Sequence, residues 1–165
     1  MSNETRPPRA VGEIAEGAWS LYLSVDDRVV GLLSRVGPPL LRSSLGTMFA
    51  WFGALKIAGT TPVADLVADT VYWFDPGWFV PLLGGFEVFV GVFLVLGKLM
   101  RLVLLLFVLQ MVGTFLVFVV QPEVAFERGN PLLLTVEGEF VAKNLVLLAA
   151  GLVVGSRLQA PRGWS

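Results

Sequence analysis

The sequence predicts an all-α integral membrane protein in which four transmembrane helices form a bundle. It also predicts an N-terminal amphipathic interfacial helix before the first span and a short interfacial helix between spans 1 and 2. Hydrophobic residues make up 55% of the 165 residues, whereas a soluble domain averages about 45–50% apolar. They are concentrated in almost uncharged runs of about 18 or more residues, which is long enough to cross a bilayer. A soluble helical bundle is disfavoured because each of its helices would need a polar face.

The absence of cysteine and histidine limits the chemistry of this chain. It excludes disulfides, Cys/His zinc sites, histidine-ligated haem and a histidine general base. No catalytic and no metal-ligating residue is predicted. The composition therefore favours a non-enzymatic role, in which any redox chemistry would need a partner or a cofactor. The net charge of −1 provides no bulk attraction to nucleic acid, so no nucleic-acid partner is expected.

Residues 1–37 are expected to form a cytoplasmic tail and the amphipathic helix. Between residues 11 and 36, apolar side chains recur at helical spacing, and the charged side chains lie off that stripe. This pattern is typical of a helix that lies in the membrane interface. The Gly37–Pro39 segment is expected to end this helix.

The transmembrane domain is expected over residues 38–156. A cytoplasmic tail at 157–165 follows, and the four spans are expected at about 40–58, 78–96, 100–120 and 138–155. Between the first two spans, Thr61 can cap a short helix and Pro62 suits its first turn. Tyr72 and Trp73 suit the headgroup level of a membrane. A turn is expected at residues 75–77, immediately before the second span.

Lysine and arginine predict the orientation in the membrane. Nearly all of them fall on one side of the four spans, whereas the loops on the other side hold Arg128 and several acidic residues. Cytoplasmic loops carry the excess of Lys and Arg. Both termini are therefore expected in the cytoplasm, and the two longer loops are expected on the outer side.

Polar side chains lie beside small residues on one face of each predicted span. Lys56 shares a face with Gly53, and Glu87 shares a face with Gly84 and Gly91. Because small residues allow close helix approach in membranes, these faces are expected to meet. The prediction is a buried polar cluster in the outer half of the bundle, with these members: Lys56, Glu87, Gln110, Glu139, Lys143 and Asn144.

The centre of this cluster is predicted to be an ion pair between Lys56 and Glu87. Glu139 precedes Lys143 by four residues, the order that favours an ion pair within one helix. Two interpretations of these groups remain open. Interhelical polar contacts can hold membrane helices in register, and ionisable residues inside a membrane can also mark a ligand or proton path.

Three sequence blocks, WFGALK at 51–56, YWFDP at 72–76 and EGEFVAKN at 137–144, resemble the DoxX-like superfamily, specifically its YkgB-type branch. The resemblance covers about residues 26–155. It implies a bacterial protein of the plasma (inner) membrane with four spans. Related DoxX-type proteins occur as membrane subunits beside oxidoreductases that use quinones, thiols or thiosulfate. YkgB-type members are associated with resistance to oxidants such as reactive chlorine.

Three functional hypotheses follow. The first is a non-catalytic accessory subunit of a redox or oxidant-defence system, with a quinone or another small amphiphile bound between the helices. In this hypothesis Trp51 and Phe86 form an aromatic wall, and Lys56, Glu87 and Gln110 are polar anchors. The second is a small oligomeric transporter or channel for protons or polar solutes, and the third is a scaffold without a ligand. The expected partner is the lipid bilayer, with a homo-oligomer and an oxidoreductase partner both left open.

Overall fold

A computed structural model describes the backbone of residues 9–158 and the side chains of residues 19–158. The described residues are helical, without a strand, and their one isolated β-bridge joins Phe126 and Leu134. The helices are α1 (Arg9–Ile57), α2 (Ala64–Thr70), α3 (Pro76–Leu96), α4 (Met100–Phe115), α5 (Val117–Val120), α6 (Pro122–Ala125) and α7 (Val136–Ser156). A short 3₁₀ helix occupies Glu127–Gly129. This all-helical architecture confirms the predicted all-α class.

Two compact units make up the chain, Met1–Pro39 and Leu40–Ser165. In the first unit, the described side chains from Trp19 onward are almost all exposed. The sequence predicts a helix end at Gly37–Pro39, whereas α1 includes both prolines of that segment. A proline removes one helical N–H donor and strains the preceding turn, and here the flanking turns keep helical backbone despite that loss. Residues 1–8 of the predicted N-terminal segment and residues 159–165 of the predicted C-terminal tail lie outside the described residues.

Three described helical stretches are long and apolar enough to cross a membrane: Pro76–Leu96, Met100–Val120 and Val136–Ser156. They coincide with the predicted spans 78–96, 100–120 and 138–155 to within two residues at each end. These stretches support a membrane protein in contact with lipid. The predicted first span at 40–58 coincides with the end of α1, which is not among these three stretches. It remains a prediction, and so does the exact four-helix bundle.

Local sequence chemistry explains where the apolar helices begin and end. Asp75 caps α3 by accepting a hydrogen bond of 2.7 Å from the Gly77 backbone N–H, and Pro76 occupies the first helical position, where no N–H partner is needed. Gly97 ends α3 with a φ of 68°, a left-handed conformation that glycine adopts at low cost. At α7, the hydroxyl of Thr135 accepts a hydrogen bond of 3.0 Å from the Gly138 N–H.

The second unit is held together in part by a close antiparallel crossing of α1 and α3. A Cβ added at Gly46 would lie 2.5 Å from the Gly91 carbonyl oxygen, and one added at Gly84 would lie 2.6 Å from the Gly53 carbonyl oxygen. Two backbones can approach this closely only where neither carries a side chain. The crossing brings the last turn of α1 against the middle of α3, and this contact positions Lys56.

Two hydrophobic clusters fill the second unit. The larger one is centred on four side chains with no exposed surface: Val90, Leu94, Val103 and Phe107. The smaller one joins Val117, Ala125 and Val141, and the α2 residue Leu66 packs against it. The end of the unit that carries α2 is called the α2 end below, and the end with the α3–α4 connection is called the Gly97 end. The candidate site lies between the two clusters.

Candidate functional site

Lys56 and Glu87 form a buried ion pair between α1 and α3. The Lys56 Nζ lies 2.6 Å from the Glu87 Oε2, and each residue is only 7% exposed. Lys56 stands in the last turn of α1, where the carbonyl end of the helix dipole favours a cation. Neither charge could stay buried alone at this position without a large desolvation cost. The pair therefore forms a unit with no net charge.

Gln110 of α4 completes the hydrogen bonding of the carboxylate. Its Nε2 donates to the Glu87 Oε1 over 2.9 Å, so both carboxylate oxygens have donors. One turn later, the Thr114 hydroxyl donates to the Gln110 backbone carbonyl over 3.1 Å. Three helices thus contribute to one polar cluster, defined here as Lys56, Glu87 and Gln110 and called the polar cluster below.

The polar cluster faces a cavity of about 270 Å³. Almost all other lining side chains are apolar, and aromatic residues stand on several walls: Phe49, Phe52, Phe79 and Phe140. Asn144 of α7 also lines the cavity, and its side chain makes no hydrogen bond or ion pair with the described residues. A pocket with apolar walls and a few converging polar groups is the usual form of a small-molecule site.

At the α2 end, α2 and the loop before it border the cavity, and together they are called its roof below. Leu66, Val67 and Thr70 of α2 line the cavity. Gln121, which directly follows α5, holds α2 in place through two hydrogen bonds. Its Nε2 donates to the Leu66 carbonyl oxygen at 3.0 Å and to the Thr70 hydroxyl at 2.7 Å. The Thr70 hydroxyl in turn donates to the Leu66 carbonyl oxygen at 2.6 Å.

Four residues predicted for the cluster or for its aromatic wall lie elsewhere. Glu139 and Lys143 form an i,i+4 pair of 3.5 Å on α7, with side chains 59% and 75% exposed. Trp51 is 64% exposed and lines a separate shallow groove beside α3. Phe86 packs against the larger hydrophobic cluster instead of lining the cavity. Helical spacing places these residues near the right depth, but it does not fix which face of a helix meets its neighbours.

The sequence-based prediction of the site does not include α2 or the Gln121 side chain that holds it. Gln121 is a polar side chain at the end of an apolar span. By itself it predicts only the end of that span and not a contact with α2. Thr70 similarly appears as one polar residue in a short amphipathic helix. Their pairing joins residues 51 positions apart and depends on tertiary packing.

Comparison with known protein families identifies the family of this chain. The DoxX family model matches residues 37–120, just over half of the chain. The chain belongs to the DoxX family. The matched region of this DoxX protein contains the whole polar cluster and α2, whereas Asn144 and α7 lie beyond it. Neither the curated proteins nor the solved structures gave a significant match.

The described part of this DoxX protein offers hydrogen-bonding groups and no cluster of metal ligands. Within residues 19–158, no group of three or more His, Cys, Asp or Glu side chains converges. What the cavity offers is hydrogen bonding. The Lys56 ammonium uses one of its three donors on Glu87. Gln110 and Asn144 each carry an amide oxygen that accepts no hydrogen bond from the described residues. A ligand with both accepting and donating atoms would match these groups.

Proposed function

We propose that this DoxX protein is a non-catalytic membrane accessory that binds a small neutral amphiphile, of quinone type, in the cavity over the polar cluster. The observation that carries the proposal is the buried Lys56–Glu87 pair facing an otherwise apolar cavity. A neutral ligand is favoured because the pair is already balanced in charge, and a charged ligand would add an uncompensated buried charge. The cavity volume of about 270 Å³ suits a ring with short substituents, since sites for larger ligands begin at about 300 Å³.

The proposal also includes four membrane spans, of which the end of α1 is the first. The antiparallel crossing of α1 with α3 supports this assignment, because a segment that packs along a spanning helix lies at the same depth in the bilayer. The excess of Lys and Arg at the Gly97 end supports a cytoplasmic location for that end and for both termini. The α2 end then faces outward, and the location is the bacterial inner membrane, as the YkgB-type resemblance implies.

A redox partner is the second part of the proposal. Within the family resemblance, DoxX-type proteins act beside oxidoreductases, and this chain has no cysteine or histidine of its own. The electrons would therefore be handled by the bound quinone and the partner, and this chain would hold the quinone. Co-purification of an oxidoreductase from membranes of the native cell is the corresponding observation to seek.

The described packing favours a binding protein over a channel within one chain. Between the polar cluster and the Gly97 end, the core consists of apolar side chains without exposed surface, including Leu94, Val103 and Phe107. A path for protons or polar solutes needs polar groups or water along its whole length. Transport through this chain alone would therefore require a large rearrangement of its core.

The proposal is tested by calorimetric titration of the purified protein with a short-chain quinone. In the double variant Lys56→Met/Glu87→Met, both charges are replaced together, so the fold is expected to survive. Quinone affinity is expected to fall about tenfold or more, because the ligand loses hydrogen bonds inside an apolar cavity. The matched control is Glu139→Met/Lys143→Met, which removes the exposed pair and is expected to keep wild-type affinity. Equal affinity for the two double variants would contradict the proposal.

A further inference from the structure

The roof of the cavity differs from its walls in how it is anchored. The walls formed by α1, α3, α4 and α7 belong to helices of 16 residues or more, whereas α2 has seven residues. On the cavity side, α2 faces empty volume in place of packed side chains. Atoms that border a void lose the dispersion contacts that a filled core provides. Displacement of α2 therefore costs less packing energy than displacement of any wall helix.

Outside the cavity, α2 is attached to α3 and to the α5 region. Leu66 packs against the smaller hydrophobic cluster, and Gln121 donates the two hydrogen bonds to Leu66 and Thr70. Both NH₂ hydrogens of Gln121 are used in this way, so the one side chain directly after α5 makes both of these hydrogen bonds to α2. We call these two bonds the Gln121 latch.

Both ends of α2 connect to backbone that can change direction. On one side, Gly59 has a φ of 67°, and a Cβ added there would meet no atom within 4 Å. On the other side, residues 71–74 form turns before α3 begins. Asp65 and Asp69 are exposed, so α2 can move away from the cavity without burying a charge.

We propose that α2 is the gate of the cavity. The gate opens when the Gln121 latch breaks and α2 moves away from the cavity, so that the cavity becomes accessible from the α2 end of the unit. Opening exposes the Leu66 carbonyl and the Thr70 hydroxyl to interfacial water, which replaces the lost hydrogen bonds. The ligand then reaches the polar cluster from that side of the bilayer. This inference rests on the proposed function for the identity of the ligand, but the opening of α2 is a property of the chain alone.

Hydrogen–deuterium exchange tests the opening without any ligand. In the wild type, the backbone amides of residues 67–71 are expected to exchange at least tenfold faster than those at the centre of α3, because local opening exposes them. Gln121→Ala is expected to accelerate exchange in α2 by a further factor of about three or more and to leave α3 unchanged, since only the latch is lost. Exchange in α2 as slow as in α3, or unaffected by Gln121→Ala, would overturn the gate.

Cross-linking tests the passage of the ligand through the gate. The chain contains no cysteine, so Thr70→Cys/Gln121→Cys introduces a unique pair across the latch. A short, reducible bis-methanethiosulfonate cross-linker then joins the two cysteines over the distance that the Gln121 side chain covers in the wild type. Association and dissociation of a short-chain quinone are both expected to slow by at least tenfold in the linked protein and to recover on reduction. The two single-cysteine variants, treated with the same reagent, are expected to keep their unlinked rates.

The outcomes separate the two proposals. Equal quinone rates in the linked and reduced protein would overturn the gate while leaving the binding site intact. An absence of quinone binding in the unlinked wild type would contradict the proposed function. In that case the exchange measurement alone decides the gate, since it requires no ligand.

Discussion

Lys56 and Glu87 are stable in their buried positions because each supplies the charge that the other needs. The apolar surroundings strengthen their attraction, but they also make either charge costly without its partner. Gln110 satisfies the second carboxylate oxygen, so the charge of Glu87 is held by two donors. This arrangement lets an ion pair exist inside a cavity that remains otherwise apolar.

Removal of one member of the pair is expected to destabilise the protein. Glu87→Ala leaves the Lys56 ammonium buried without a counter-charge, which costs about 3–5 kcal/mol in comparable buried pairs. Glu139→Ala removes a carboxylate from the exposed pair on α7 and is expected to cost less than about 0.5 kcal/mol. Thermal unfolding in one detergent measures both. Similar melting temperatures for the two variants would show that the Lys56–Glu87 pair is not buried as described.

The sequence supports only part of the site at this scale. The pairing of Lys56 with Glu87 follows from glycine-lined faces that must approach each other, so helical spacing is enough to suggest it. The exposure of Glu139 and Lys143 does not follow, because α7 packs through Gly138, Gly151 and Val154, a face rotated away from that pair. Spacing shows which residues share a face, but the choice of buried face depends on the neighbouring helices.

At the scale of elements, the α1–α3 crossing positions the cluster. Gly91 meets the backbone of Ala50 and Gly46, and a Cβ there would contact the Gly46 carbonyl oxygen at 2.5 Å. A methyl group cannot fit unless the helices separate. Separation would lengthen the distance between Lys56 and Glu87, since they lie along the same interface.

Gly91→Ala is therefore expected to lower the stability of the protein by about 1–3 kcal/mol, as overpacking does in other cores. Gly85→Ala is the matched control on the same helix, because a Cβ there meets no atom within 4 Å. It is expected to be neutral or slightly stabilising, since alanine favours helix more than glycine does. Unfolding by heat in detergent compares the two. Equal loss of stability in both variants would mean that the close crossing is absent.

The sequence predicts the ends of the helices better than it predicts which helices pack against each other. Asp75–Pro76 and Gly97 mark the ends of α3 through capping and left-handed backbone, which are local properties of the chain. The prolines at 38 and 39 show the limit of such rules, because helical backbone continues through them. A local breaker raises the free energy of a helix, but it does not decide the outcome alone.

For the whole molecule, the three apolar stretches support insertion in a bilayer, and the distribution of charge predicts the orientation. The α2 end carries the acidic residues Asp65 and Asp69, and the Gly97 end carries Lys98 and Arg101. An even number of spans is required for both termini to lie on one side. The end of α1 supplies the fourth span in this account.

Single-cysteine labelling tests that topology in a chain without native cysteine. Cysteines introduced at Asp65 and Arg128 are expected to react with a membrane-impermeant thiol reagent in intact cells. Those introduced at Lys98 and Ser156 are expected to react only after the membrane is opened. All four positions are exposed, so a missing reaction reports location and not burial. Labelling of Lys98→Cys in intact cells would contradict the proposed orientation.

The central claim is that the cavity over the polar cluster holds a small neutral amphiphile, and native mass spectrometry of protein extracted with its own lipid tests it most directly. Gly113 lines the cavity and has no atom within 4 Å of an added Cβ, so Gly113→Leu adds bulk at the cavity while all three residues of the polar cluster are kept. Gly85→Leu adds the same bulk at an open position outside the cavity. We expect one small neutral amphiphile bound to the wild type and to Gly85→Leu, and none bound to Gly113→Leu. The claim would be contradicted if the wild type carried only phospholipid, or if all three proteins carried the same amphiphile.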